Sequence, residues 1–202
     1  MEKIDLKKEL KDLYNPSAKE IAIVEVPKMN FLMIDGSGDP NTSQEYKDAL
    51  EALFSLSYML KFVIKKTRGV DYSVMPLVGL WCVNDMSKFS VEHKDSWKWT
   101  SMIMQPEQVT EDKVAKALEE LKKKKKLVAL SKIRFESFYE GKSAQIMYIG
   151  PFSNEGPTIQ KIHEFIRKHE CTLGGRHHEI YVSDPRRVAP EKMKTILRQP
   201  MK

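Results

Sequence analysis

The sequence predicts an α+β fold made of duplicated β-α-β-β units with pseudo-two-fold symmetry. The helices are expected on one face of the sheet and a ligand cavity on the other. Two observations carry this reading. Phe31-Leu32-Met33-Ile34-Asp35-Gly36 can be laid over Gln145-Ile146-Met147-Tyr148-Ile149-Gly150. Each of these segments is preceded by a strand-like run and followed by a loop, a long amphipathic helix and another strand. Two such units build one sheet with both long helices on one side, which leaves the other side free to hold a ligand. No linker rich in Gly, Pro or Ser interrupts the chain. Residues 1–202 therefore read as a single domain, with an arm or helix at 1–17 and internal repeats at about 18–104 and 131–190.

The elements follow in order. Residues 1–14 read as a short polar helix or a mobile arm, ended by Asn15-Pro16-Ser17. Ile21 to Val26 alternates like a strand and Pro27 closes it. Asn30 to Ile34 is a second strand, and Asp35 to Pro40 a turn or loop. A long helix is expected from about Ser43 to Lys66, with Tyr46, Ala49, Leu50, Leu53, Phe54, Tyr58 and Phe62 at helical spacing and Thr67-Arg68-Gly69 as its stop. Val74 to Val83 reads as a buried strand carrying Trp81. Ser96 to Met104 is another, with Trp97 and Trp99 on one face because strand side chains alternate. Thr110 to Lys125 is a second helix, with Thr110 as N-cap and Glu111 and Asp112 in its first turn.

In the last third, Ile133 to Tyr139 and Ala144 to Ile149 read as strands separated by a turn at Glu140-Gly141-Lys142. Gly150-Pro151-Phe152-Ser153 is a loop. A helix from about Pro157 to His169 puts Ile159, Ile162, Phe165 and Ile166 on one face. Gly174-Gly175 marks a turn, His178 to Ser183 a strand ended by Asp184-Pro185, and Glu191 to Arg198 a final short helix.

Composition narrows the class. The chain is 41% apolar and 31% charged, the balance of a soluble globular protein. Its longest apolar run, Val74 to Val83, is about half the roughly 20 residues that a membrane-spanning helix needs, so no membrane partner is expected. The start, MEKIDLKKELKDLY, has no apolar signal core. Cys82 and Cys171 are too few for a disulfide scaffold and read as buried, inert thiols in a reducing cytoplasm. The net charge is +6. The basic residues concentrate in Lys122–Lys126 and in a C-terminal group that includes Arg186, Arg187, Lys192, Lys194, Arg198 and Lys202. The lysine block has no interleaved aromatics to stack on bases, so it reads as a solvated helix end and not as a nucleic-acid patch.

The sequence contains no phosphate loop, no Gly-x-Gly-x-x-Gly fingerprint, no Gly-x-Ser-x-Gly elbow and no His-Glu-x-x-His, and it implies no cofactor. In His177-His178-Glu179 two metal-capable side chains share a strand face, but no third ligand is placed, so no metal is expected. Glu179-Ile180-Tyr181 stands out because Glu179 and Tyr181 point the same way from a strand. A carboxylate beside a phenol can bind a cation or orient a water, or it can be an ordinary exposed strand end. Trp81, Trp97, Trp99, Phe135, Phe138, Tyr139 and Tyr148 supply strand-borne aromatics. Singly these are core residues. Gathered around a carboxylate they would form a cage for planar or cationic molecules.

The run Ile146-Met147-Tyr148-Ile149-Gly150-Pro151-Phe152, a helix, and then Glu179-Ile180-Tyr181-Val182-Ser183-Asp184-Pro185 resembles the GyrI-like small-molecule-binding family. The resemblance covers roughly residues 18–190 and is strongest in the last third. It implies a pocket between the two repeats, with Glu179 facing an aromatic or cationic ligand, Tyr181 beside it, and Tyr148 at the aromatic position before the Gly-Pro loop. Family regulators carry a helix-turn-helix segment, which residues 1–17 are too short to be, so the chain looks like a stand-alone member. Its tryptophan-bearing strands resemble those of members that are cyclopropanoid cyclopropyl hydrolases, which open the cyclopropane of DNA-alkylating compounds inside an aromatic cage. That resemblance implies Glu179 and Tyr181 as catalytic residues, Trp81, Trp97, Trp99 and Tyr148 as the ligand-binding cage, and a role in drug resistance and detoxification. The alternative is a binding module that sequesters aromatic or cationic drugs and metabolites without turnover.

Overall fold

A computed structural model describes residues 2–82 and 94–202. The elements are β1 (Glu2–Ile4), α1 (Leu6–Glu9), α2 (Lys11–Tyr14), β2 (Ala22–Val26), β3 (Met29–Ser37), α3 (Gln44–Arg68), β4 (Val70–Tyr72), β5 (Leu77–Cys82), β6 (Lys98–Gln105), α4 (Glu111–Lys124), β7 (Arg134–Phe138), β8 (Gly141–Ile149), α5 (Gly156–Lys168), β9 (His177–Tyr181) and β10 (Lys194–Pro200). Eight strands form one sheet in the order β2-β8-β10-β9-β5-β6-β3-β7. Every neighbouring pair in it is antiparallel. The run β3, α3, β5, β6 thus lies beside the run β8, α5, β9, β10, and they are joined where β5 pairs with β9.

Strand alternation divides the residues between two faces. The register sets Gly36 opposite Trp99, Trp99 opposite Trp81, and Trp81 opposite His177. Glu179 and Tyr181 share that face with His177. α3 lies on the same face, because its Tyr46 ring sits 6.0 Å from Trp81 and 5.0 Å from Trp99. So does α5, whose buried Ile162 and Ile166 pack with Ala144, Ile146 and Leu197. Both long helices are therefore on one face, as expected.

The opposite face is not the open one that the sequence suggested. It carries Leu80, His178, Arg198 and Gln145 in register, and the N-terminal segment lies over it. The Arg198 Nη2 donates to the Leu13 carbonyl at 2.9 Å, and Gln145 Nε2 donates to the Asp12 carbonyl. Leu13 and Tyr14 are buried in the same core as Met147, Ile180 and Ile196. Residues 2–17 are thus a docked strap and not a mobile arm. The physical reason is that a sheet buried on its helix side still exposes an apolar second side, and the leucines of α1 and α2 cover it.

Other differences have local causes. The expected final helix at Glu191 to Arg198 is replaced by β10, a strand paired on both sides with β8 and β9. Its charges suggested a solvated helix, yet Arg198 is 1% exposed. β3 continues to Ser37, through the expected turn, because Asp35 is held by Thr100 and Arg134. α3 begins as expected, with Ser43 Oγ accepting from the Tyr46 amide, and stops at Gly69 with φ 67°. Its buried stripe nonetheless runs through Ala52, Leu56, Leu60 and Ile64, while Tyr58 and Phe62 are exposed. Val83 lies outside the described residues.

Glu140, expected in a turn, is the centre of a buried ionic network. It accepts from Arg198 Nη1 at 3.1 Å and contacts His178 Nδ1 at 2.6 Å. A carboxylate only accepts, so His178 carries its proton on Nδ1. Arg198 Nε also donates to Gln145 Oε1 at 2.9 Å. Burial would raise the Glu140 carboxyl, but His178 and Arg198 outweigh it and hold it below the ordinary range. Burial holds the His178 imidazole down against the pull of Glu140.

Glu140→Gln and Arg198→Met each strand a buried charge and should cost about 3–5 kcal/mol, read as a lower urea midpoint. Acid should weaken the wild type in two stages. Below about 6.5 the unfolded chain protonates His178 while the folded chain does not. Below about 4.5 the same holds for Glu140. The stabilisation is complete above both values and is lost as the pH falls, and His178→Gln should shrink the first stage of the urea midpoint measured against pH, leaving the share of His163, which burial also holds down.

Candidate functional site

β9 crosses the middle of the sheet and presents His177, Glu179 and Tyr181 to the helix face. The Tyr181 hydroxyl donates to Glu179 Oε2 at 2.7 Å and accepts from Trp81 Nε1 at 3.1 Å. Burial, followed by the Glu179 charge, pushes the Tyr181 phenol well above its ordinary range. Tyr181 therefore keeps its proton and gives it to the carboxylate as a hydrogen bond. Burial and then Glu179 likewise raise the Tyr46 phenol. The other carboxylate oxygen, Oε1, lies 3.3 Å from His177 Nε2. The Glu179 side chain keeps 13% of its exposure.

Aromatic rings surround this pair. Trp81 meets Trp97 edge-on at 5.3 Å, and Phe152 meets Tyr181 edge-on at 5.6 Å. Together with the Tyr46 contacts they form a continuous cluster beside the carboxylate. Two glycines make room for it. Gly36 lies directly across from Trp99, and a Cβ there would collide with the indole. A Cβ at Gly79 would stand 2.6 Å from Trp81 Nε1. The indoles thus lie down on the sheet where the chain has no side chains.

Of the residues singled out in the sequence, Glu179, Tyr181, Trp81, Trp97 and Trp99 come together. Tyr148 does not join their rings. It shares the face, in register with Thr195 and so two strands from Tyr181, but packs in the second apolar cluster. Its hydroxyl donates to the Pro151 carbonyl at 2.9 Å. This explains the Gly-Pro loop: Gly150 has φ 151°, and a Cβ there would lie 2.5 Å from the Tyr148 hydroxyl oxygen. Sequence reasoning missed Tyr46 and Phe152 as site residues and weighed His177 only as a metal ligand. Tyr46 looked like one more apolar position of an amphipathic helix, so only the helix placement reveals it. Among the described residues, no group of three or more His, Cys, Asp or Glu could hold a metal ion.

The partly exposed Glu179 carboxylate is thus hydrogen-bonded to a phenol among packed aromatics. The family model of the GyrI-like small molecule binding domain matches residues 19–202, and the chain belongs to that family. An uncharacterized conserved protein from Listeria innocua is 40% identical, with 98% of this chain and 100% of that one covered and a TM-score of 0.92. A protein described as a hydrolase from Listeria innocua is 39% identical over 100% of both chains, with a TM-score of 0.89. The C-terminal domain of EcmrR shares the fold at 10% identity, covering 91% of this chain and 97% of that one with a TM-score of 0.56. Comparison with curated proteins gives no match. No helix among the described residues is long and apolar enough to cross a membrane.

Gly36→Ala should push Trp99 off the sheet at a cost of about 1–3 kcal/mol. The expected readouts are a lower urea midpoint and a shifted tryptophan emission, and an unchanged spectrum would show that the Gly36 cradle does not hold the indole.

Proposed function

We propose that this GyrI-like protein is a hydrolase that opens the strained cyclopropane of cyclopropanoid DNA-alkylating compounds, serving detoxification and drug resistance in the cytoplasm. The observation that carries the reading is the Glu179 carboxylate, held by Tyr181 inside the tryptophan cluster. The likeness, at 39% identity over both whole chains, to a protein described as a hydrolase supports it. In this reading the whole chain acts as one domain of two β-α-β-β copies, with the site on their seam. The strand order, in which one run lies beside the other along β5 and β9, supports that view.

Trp81, Trp97 and Trp99, packed in the core of this structure, become the stacking surface when the planar substrate enters, and Tyr148 stands on the same face two strands from Tyr181. Glu179 orients a water and takes its proton as the water oxygen bonds to a ring carbon. The ring C–C bond breaks, and its electron pair ends on the electron-accepting group conjugated to the ring. That group then takes a proton, so the net change is the addition of one water. Tyr181 acts through Glu179: its hydroxyl fixes Oε2 and leaves Oε1 to face the water. Ring strain lowers the barrier, so one positioned base suffices.

Non-catalytic sequestration of an aromatic or cationic drug would use the same cage, with Glu179 as counter-ion. The test is a paired assay of wild type and Glu179→Gln on an electrophilic cyclopropanoid, with its loss followed by mass spectrometry and tryptophan fluorescence read in parallel. Turnover that adds one water and falls about 10²- to 10⁴-fold in the variant is expected. Quenching without turnover would make the chain a binding module, and equal turnover by the variant would remove Glu179 from the mechanism.

A further inference from the structure

Trp81, Trp97, Trp99 and Tyr46 are all buried. A planar molecule cannot stack on rings packed this closely unless one wall of the cluster moves. Phe152 is the ring that differs. It is 41% exposed, and it stands on a loop turn, where the others stand on strands, on α3 or just before β6. Its ring covers Tyr181 edge-on at 5.6 Å. The Tyr181 hydroxyl behind it meets both Glu179 and Trp81.

The backbone that carries Phe152 is fastened at its two ends and loose between them. Gly150 is buried, and its N–H donates to the Met193 carbonyl at 3.0 Å. Glu155 is buried too, and its carbonyl accepts from the N–H groups of Thr158 and Ile159, in the first turn of α5, at 2.9 and 3.0 Å. Between these anchors Pro151 has no N–H to give. Phe152–Asn154 make one short 3-10 turn, whose hydrogen-bond geometry is poorer than that of an α-helix. Its backbone bonds stay within the loop: Asn154 N–H donates to the Pro151 carbonyl at 3.0 Å, and Glu155 N–H to the Phe152 carbonyl at 3.3 Å. Among the described residues, no backbone–backbone bond joins residues 151–154 to another element. The tie from the sheet to this backbone is a side chain. The Tyr148 hydroxyl donates to the Pro151 carbonyl at 2.9 Å.

We propose that residues 151–154 are the lid of the site, with Phe152 the plug that decides which molecules reach Glu179 and Tyr148 the latch that holds the turn shut. The proposal rests on the hydrolase reading for its substrate and on the geometry alone for the lid. Opening breaks the Tyr148 hydrogen bond and the contact between Phe152 and Tyr181, and the turn swings out between Gly150 and Glu155. The planar molecule then enters beside Tyr181, one hydrogen bond away from the Trp81 indole. Tyr148, which stands outside the ring cluster, thereby acts on the site through the turn.

The test has two arms that fail separately. The first needs no ligand. The chain's three tryptophans all lie in the cluster, so acrylamide quenching of their fluorescence reports access to it. It is measured on the full chain as wild type, Phe152→Ala, Tyr148→Phe and Ile149→Ala. Tyr148→Phe keeps every ring and removes the latch. Ile149 is exposed and points to the opposite face from Tyr148, so its variant is the control. A severalfold rise in the quenching constant is expected for Phe152→Ala and a smaller rise for Tyr148→Phe, with Ile149→Ala like wild type. Wild-type constants in both lid variants overturn the lid, whatever the chain's activity. If the urea midpoint shows that Phe152→Ala has lost its fold, Tyr148→Phe decides.

The second arm is stopped-flow quenching by the electrophilic cyclopropanoid, followed by single-turnover hydrolysis. An open state populated to about 10% or less slows association by that fraction, so Phe152→Ala should associate about tenfold faster or more. Ring opening at saturation should change little, because the plug is already displaced in the bound state. Phe152→Trp, a larger plug, should slow association. Wild-type association rates in Phe152→Ala would overturn the plug while leaving the hydrolase reading standing. A wild type that does not turn the compound over would remove the hydrolase reading, and the acrylamide arm would then decide the lid alone.

Discussion

The pairing of β5 with β9 is the contact on which the rest of the structure depends. It is the place where the two halves of the sheet meet, and four residue pairs make it, from Val78 with Ile180 to Trp81 with His177. A slip of one residue would turn every β9 side chain to the other face. Glu179 would then leave the aromatic cluster, and His178 would leave the ionic network. Gly79, directly across from Glu179, leaves that spot without a side chain, so the Trp81 indole can lie beside the carboxylate. The site is thus a consequence of register.

Two neighbouring residues of β9 show what that register separates. His178 faces the strap and meets Glu140, which in turn meets Arg198. On that side Arg198 reaches Gln145, Glu140 and the Leu13 carbonyl, while His178 Nε2 has no hydrogen bond among the described residues. Such a network specifies a rigid arrangement, because removing Glu140 or Arg198 leaves the other as a buried charge. Glu179, one residue on, faces the helices. Its surroundings are aromatic, and its other polar neighbour, His177, lacks a hydrogen bond among the described residues. One side of the strand holds the fold together, and the other sets a carboxylate and a phenol in an apolar setting.

The strap makes this division possible. Residues 2–17 lie outside the span of the family match, which begins at residue 19, yet their carbonyls at Asp12 and Leu13 satisfy donors at the centre of the sheet. With that face covered, the site stands on the face between α3 and α5. α3 contributes Tyr46 from its first turn, and the segment before α5 contributes Phe152. Both helices therefore serve the site as walls as well as core.

Most of this fold was legible from periodicity. The long helix with its start near Ser43 and its Gly69 stop, the strands carrying Trp81 and Trp99, and the shared face of Glu179 and Tyr181 follow from local spacing, since a strand repeats every two residues and a helix every 3.6. The resemblance in Gly150-Pro151 and Glu179-Ile180-Tyr181 pointed to the family. β10 was not legible, because Arg198 looks like a solvent-facing charge until β8 and β9 bury it. Glu140 looked like a turn residue for the same reason. Tyr58 and Phe62 kept a helical spacing but fell off the buried stripe, because the sheet and α4 together choose which face of α3 is covered. The sequence by itself determined which residues could share a face. Only the tertiary structure decided which face was covered by what, because burial of a charge or a ring depends on partners distant in the chain, and no local pattern encodes them.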